Sequence, residues 1–289
     1  MQGTVDGFSY GLVTPVVAYL MACLGGALGL RCTTRSMLVD GRWRVGWLAL
    51  GSAAIGSGIW TMHFVAMMGF KVLQTPIQYD PLTTFASLAV AIVMVGIGIF
   101  MVASKGATGA ALFTGGTITG LGIASMHYLG MAGMRLNGTF EYNTVTVAAS
   151  VVIAVVAAIA ALWAAGQVRG FLWTVGASLV MGIAVSGMHY TGMAALSVHL
   201  HSATGSAPAD GSSSAALLAP LMIGPLVFLL LAGVVVMFDP FMIMGRFHTA
   251  PAERRPGIPA QATAHTCRHP DSRADQEHRE RRSRTPQNR

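Results

Sequence analysis

The chain has 289 residues, of which 53% are hydrophobic and 10% charged, with a net charge of +7. Soluble domains run near ~25% charged, so this composition argues against a cytosolic globular enzyme. Residues 1–238 carry 8 Lys/Arg and 5 Asp/Glu, and residues 239–289 carry 10 and 6; charge this dispersed excludes a nucleic-acid partner and fits a multi-pass membrane domain with lipid as its surroundings, followed by a basic, disordered cytoplasmic tail.

Crossing ~30 Å of hydrocarbon takes about 20 helical residues. Seven apolar stretches of that order are expected near 10–30, 45–70, 82–103, 110–134, 145–166, 171–196 and 215–238. They are continuously apolar instead of alternating, which excludes a closed barrel and predicts an all-α membrane protein. The first stretch lacks a basic leader and a small-residue cleavage site, so it is retained as a span. Arg31, Arg35, Arg42 and Arg44 follow span one, Lys105 follows span three and Arg169 follows span five, against Lys71 and Arg135 in the opposite loops. The positive-inside rule then predicts an outer N-terminus and a cytoplasmic C-terminus in a bacterial cytoplasmic membrane. Cys23, Cys32 and Cys267 have no metal- or haem-attachment spacing.

The chemistry sits in an internal repeat: GIWTMHFVAMMGF at 58–70, GIASMHYLGMAGM at 122–134 and VSGMHYTGMAAL at 185–196. His63, His127 and His189 are separated by 64 and 62 residues, one pair of spans per repeat, so the architecture expected is three two-helix repeats plus a seventh helix. Each histidine is placed seven residues before the expected end of its span, roughly 10 Å below the outer boundary at ~1.5 Å per residue. A histidine and the methionine four positions on share one helical lobe, which pairs His63 with Met67, His127 with Met131 and His189 with Met193. Met62, Met126 and Met188 point about 100° away and are weaker candidates.

These are the only histidines in the expected spans, and buried ionisable groups in a bilayer mark function by default. Imidazole with thioether suits copper, whereas Mg or Ca would need carboxylates. Copper is therefore the favoured cofactor, with room for a diatomic ligand. Haem held by His/Met or bis-His ligation and a copper channel or carrier are the alternatives; a carrier predicts ligands at more than one depth. The bland reading treats the methionines as packing and the histidines as interhelical glue. The pairs Gly25/Gly29 and Gly116/Gly120 read as helix packing, and Gly122, Gly130, Gly182, Gly187 and Gly192 as sites of close approach or of a channel. Pro15, Pro220 and Pro225 read as kinks, and His199 and His201 as members of a solvated outer loop.

The motif Met126-His127-Tyr128, repeated as Met188-His189-Tyr190, resembles that of the MHYT domain family over the whole membrane part. The resemblance implies a bacterial integral membrane sensory domain that binds copper near the outer face and senses oxygen, carbon monoxide or nitric oxide. It carries over to Met62, His63 and Met67, to Met126, His127, Tyr128 and Met131, and to Met188, His189, Tyr190 and Met193, with Tyr128 and Tyr190 standing behind the ligands. The first copy departs with Phe64 in place of Tyr and Ala66 in place of Gly. Many members of the family continue into GGDEF and EAL domains or a kinase. The expectation here is a stand-alone sensor, not an enzyme, that signals through a separate protein.

Overall fold

Among the described residues seven helices, each long and apolar enough to cross a membrane, make up most of the structure. A computed structural model describes residues 5–6, 10–72, 77–167, 170–200 and 214–239. The helices are α1 (Val13–Ser36), α2 (Gly41–Met68), α3 (Pro81–Lys105), α4 (Gly109–Ala132), α5 (Thr144–Gln167), α6 (Phe171–Ala194) and α7 (Ser214–Met237). Local signals set their starts. Asp80 caps α3, accepting from the Thr83 N–H at 2.9 Å with Pro81 at the first helical position, where a missing N–H costs nothing. Thr108 caps α4 and Asn143 caps α5 in the same way. The three turns at the basic end each use a glycine in the left-handed region: Gly41 at φ +59°, Gly106 at +74° and Gly170 at +94°.

Short antiparallel strands cover the histidine end: β1 (Val5–Asp6) with β2 (Lys71–Val72), β3 (Gln78–Tyr79) with β4 (Met134–Arg135), and β5 (Gly138–Tyr142) with β6 (Leu196–Leu200). In every copy the strand before the odd helix pairs with the strand after the even one. The repeated unit is therefore strand-helix-helix-strand, closed on itself, and it occurs three times before α7.

The most extensive interfaces are those of the first two hairpins, α1 on α2 and α3 on α4, and α2 on α3, α4 on α5, α5 on α6 and α6 on α1 complete a ring of six helices. Helix α7 lies outside the ring, against α2 and, less extensively, α1. Small residues permit these approaches. A Cβ on Gly25 would lie 2.7 Å from Gly58 Cα, and one on Gly116 would lie 2.7 Å from Ile159 Cα, as the packing reading of the two GxxxG pairs requires.

Five sequence expectations need correction. Helix α1 does not stop at residue 30 but runs to Ser36, so Arg31 and Arg35 are helical. Arg35 is tolerated there because its Nε donates to Asp239 at 2.5 Å and its guanidinium lies 5.6 Å from the Trp47 ring centroid. Arg42 and Arg44 fall in the first turn of α2. The histidine-bearing helices end at Met68, Ala132 and Ala194, two residues earlier than expected, because the chain turns there to form β2, β4 and β6. His199 belongs to strand β6, beside Glu141 at 3.3 Å, while His201 and the tail from residue 240 lie outside the described residues. Pro15 occupies the first turn of α1, where it interrupts no helical hydrogen bond, whereas Pro220 and Pro225 are inside α7.

Candidate metal centre

The even helices α2, α4 and α6 each deliver one histidine, five residues before the helix end, about 7 Å along the axis. Because the copies share one phase and one length, the three side chains meet at a single level. His63 Nδ1 lies 3.0 Å from His189 Nδ1 and 3.1 Å from His127 Nδ1, and the third edge, His189 to His127, is 3.3 Å. The rings are nearly perpendicular in pairs, at 77–87°, like three blades around an axis. All three residues are at most 1% exposed.

Each ring has an aromatic neighbour, and those of His63 and His127 are fixed from a second side as well. The next residue in sequence presents an edge-on aromatic ring: Phe64 to His63 at 4.6 Å, Tyr128 to His127 at 4.9 Å and Tyr190 to His189 at 5.0 Å. The far side is closed by the following copy. A Cβ on Gly130 would stand 2.6 Å from His63 Nε2, and one on Gly192 would overlap His127 Nε2. Both glycines are three residues after a histidine, so the second and third copies each supply one imidazole and the seat for that of the copy before. Gly122 and Gly182 approach Met94 and Cys23 closely, whereas Gly187 has nothing within 4 Å of a built Cβ.

The aromatic partners are themselves tied outward. Tyr128 Oη is 2.6 Å from Ser150 Oγ on α5, so its hydroxyl serves the α4–α5 contact and its ring, not its oxygen, orients the histidine. In the first copy Phe64 packs at 4.7 Å on Trp60, whose Nε1 donates to Ser87 Oγ at 2.9 Å. The loss of a hydroxyl at Phe64 is thereby accommodated by packing. Tyr142, beside Tyr128, has its phenol pKa raised by burial, and Asp80 has its carboxyl pKa lowered chiefly by the Thr83 hydroxyl.

Met62, Met126, Met188, Met67 and Met131 are all buried, and Met193 is half-buried. Met67 and Met131 follow their histidines by one helical turn toward the strand cap. The three histidines each offer a ligand atom within 4.8 Å of the others. The sequence had marked Gly130 and Gly192 for close approach without saying to what. It did not reveal Arg35 with Asp239, a pair 204 residues apart.

The nitrogen triangle has a physical consequence. A nitrogen either donates or accepts, and three mutually adjacent ones cannot be matched pairwise, so at least one edge sets like against like in every tautomer. His63 Nε2 and His127 Nε2 are buried with no hydrogen-bond partner and offer no outlet. A cation accepts all three lone pairs at once. The centre of the triangle lies about 1.8 Å from each nitrogen, against ~2.0–2.1 Å for a metal–imidazole bond. The donor set therefore fits a small ion that accepts imidazole.

A membrane domain built by threefold repetition around a buried histidine triad defines a class of repeat domain found in signalling proteins. The chain belongs to the MHYT family: the family's sequence profile, described as a bacterial signalling protein N-terminal repeat, matches residues 56–115, 120–180 and 182–239. Each match begins seven residues ahead of its histidine.

The bifunctional diguanylate cyclase/cyclic di-GMP phosphodiesterase MucR of Pseudomonas aeruginosa is 39% identical over 204 residues, 69% of this chain and 30% of that protein. The cyclic di-GMP phosphodiesterase NbdA of the same organism is 35% identical over 207 residues, 68% of this chain and 26% of that protein. The signalling protein YkoW of Bacillus subtilis is 30% identical over 198 residues, 66% of this chain and 24% of that protein. The chain thus spans less than a third of the length of these relatives. No solved structure matches it significantly.

Proposed function

We propose that this membrane signalling domain is a metal-dependent sensor in which His63, His127 and His189 hold one ion, copper in first place, through their Nδ1 atoms. Met67, Met131 and Met193 are the thioether candidates on the same lobes, and Met62, Met126 and Met188 the secondary ones. The single observation carrying this reading is the triangle of imidazole nitrogens with edges of 3.0–3.3 Å, an arrangement frustrated without a cation and close to the size of one. Copper bound there would supply a one-electron redox couple and affinity for oxygen, carbon monoxide or nitric oxide. The protein's own residues orient the imidazoles, keep water out and turn a change at the triad into a change of helix packing.

The role proposed for this chain is sensing, not catalysis, with output passed to a signalling protein. The orientation proposed puts the N-terminus and the strand cap outside and the basic turns in the cytoplasm. Two alternatives fare worse against the geometry. Nitrogens 3.0–3.3 Å apart leave no gap for a macrocycle between them, which disfavours haem. A carrier needs ligands at several depths, and among the described residues the triad is the sole cluster of three or more His, Cys, Asp or Glu donors.

Metal analysis and an optical spectrum of the purified full chain test the proposal. About one copper per chain, lost when His63, His127 and His189 are all replaced by Ala, is the expected result. A protein that binds no metal and merely loses stability on those replacements would reduce the triad to structural glue, and a Soret band would transfer the reading to haem.

A further inference from the structure

Beneath the triad, on the side facing the basic turns, the six-helix ring encloses two cavities in series. The one nearer the basic end has a volume of about 220 Å³, and the narrower one continuing toward the histidines about 50 Å³. They share Thr33, Ile99, Leu162 and Ala165 as walls. The inner end is lined by Ile59, Ile123 and Val185, each four residues before a histidine and so one turn below it. The shaft spans Ala154 to Gly166 along α5, about 18 Å, slightly more than one leaflet of a ~30 Å hydrocarbon core.

Its walls are dry. Thr33 donates to Gly29 O at 2.9 Å, Ser36 to Thr33 O at 2.6 Å and Thr119 to Met94 O at 3.4 Å, so these hydroxyls are spent on backbone. Water is held where polar groups lack partners, and apolar cavities of ~150 Å³ take hydrocarbon. Among the described residues the one charge in the lining is Arg44, at the mouth. Its Nη2 donates to Ala103 O at 2.7 Å, and among the described residues no carboxylate pairs with it. A guanidinium has five donors, and a carboxylate is its best-matched anion.

We propose that this shaft is a binding site for a long-chain fatty acid, with the carboxylate on Arg44 and the chain running up the axis toward Ile59, Ile123 and Val185. All six ring helices line the inner cavity, and a passage of about 50 Å³ leaves width for one chain and not for two side by side. The terminal methyl then bears on the floor of the histidine centre, a contact that requires no metal.

Equilibrium binding of radiolabelled myristate to the purified full chain is the test, with octanoate and vesicles of dioleoyl phosphatidylglycerol as competitors. Saturable binding is expected, with octanoate a weak competitor and the diacyl lipid none. Arg44→Ala, at an exposed position, should weaken binding about tenfold. Ala158→Trp, which fills the shaft, should abolish it while circular dichroism shows the helices retained; if that variant does not fold, the wild type and Arg44→Ala decide. Absence of saturable binding, unchanged affinity in either folded variant, or displacement of myristate by the diacyl lipid overturns the proposal.

Discussion

Replacing Gly192 by Ala probes the seat of His127 without touching a ligand. The added Cβ would overlap Nε2 of that ring and lie 2.9 Å from Cδ2 and 3.3 Å from Cε1, where carbon contacts settle at ~3.5–4.0 Å. The ring must retreat by roughly an ångström, and the edge-on Tyr128 leaves it no free direction. Overpacking of this kind costs about 1–3 kcal/mol, of which the better helix propensity of Ala returns up to ~1 kcal/mol.

Ligand distances tolerate about 0.2 Å, so copper affinity should fall at least tenfold, the range seen when a ligand's support is removed. Gly187→Ala is the control. It lies on the same helix with nothing within 4 Å of its built Cβ and should be neutral or stabilising by about 0.5–1 kcal/mol. Copper titration and thermal unfolding of both variants provide the comparison. If Gly192→Ala behaves like Gly187→Ala in both assays, the interlocked seats are not what positions the triad.

Arg35→Ala removes the Nε donor to the buried Asp239 carboxylate and should destabilise the protein by about 3–5 kcal/mol; denaturant unfolding in detergent would read this, and replacing both residues by apolar ones should recover most of it. Trp60→Phe removes the donor to Ser87 Oγ and Thr84 O and should cost about 1–2 kcal/mol, again by unfolding. At Asp80 the folded-state pKa is lowered, chiefly by the Thr83 hydroxyl, so the capping contribution is complete above the ordinary carboxylate pKa of about 4 and is lost as pH falls through the lower folded value. Hydrogen exchange at the first turn of α3 should accelerate in that acid window in the wild type and show no such step in Asp80→Asn.

Depth and periodicity were readable because each repeat carries its own copy of the evidence. His63, His127 and His189 stand in equivalent positions of three apolar runs, and equal lengths put equal positions at equal depth. What the spacing left open is rotation about each helix axis, which decides whether rings at one depth meet or diverge. The glycines at 130 and 192 set that rotation, but their effect depends on a neighbour some 65 residues away. The short strands were illegible for another reason: two to five residues are too few for an alternating pattern, and their pairing follows from where the helices end. Arg35 with Asp239 has no local signature at all, since each residue taken alone resembles a charge at a span boundary.

The placement of α7 makes the domain's threefold plan unequal in one respect. Leaving the ring, α7 rests on α2, the helix that bears His63, and its end is tethered through Asp239 to the foot of α1. The helix of His63 borders α7 across one interface, while those of His127 and His189 reach it chiefly through other helices of the ring. A triad built on three equivalent helices thus meets α7 through one of them, so the threefold plan ends in a single, unequal neighbour.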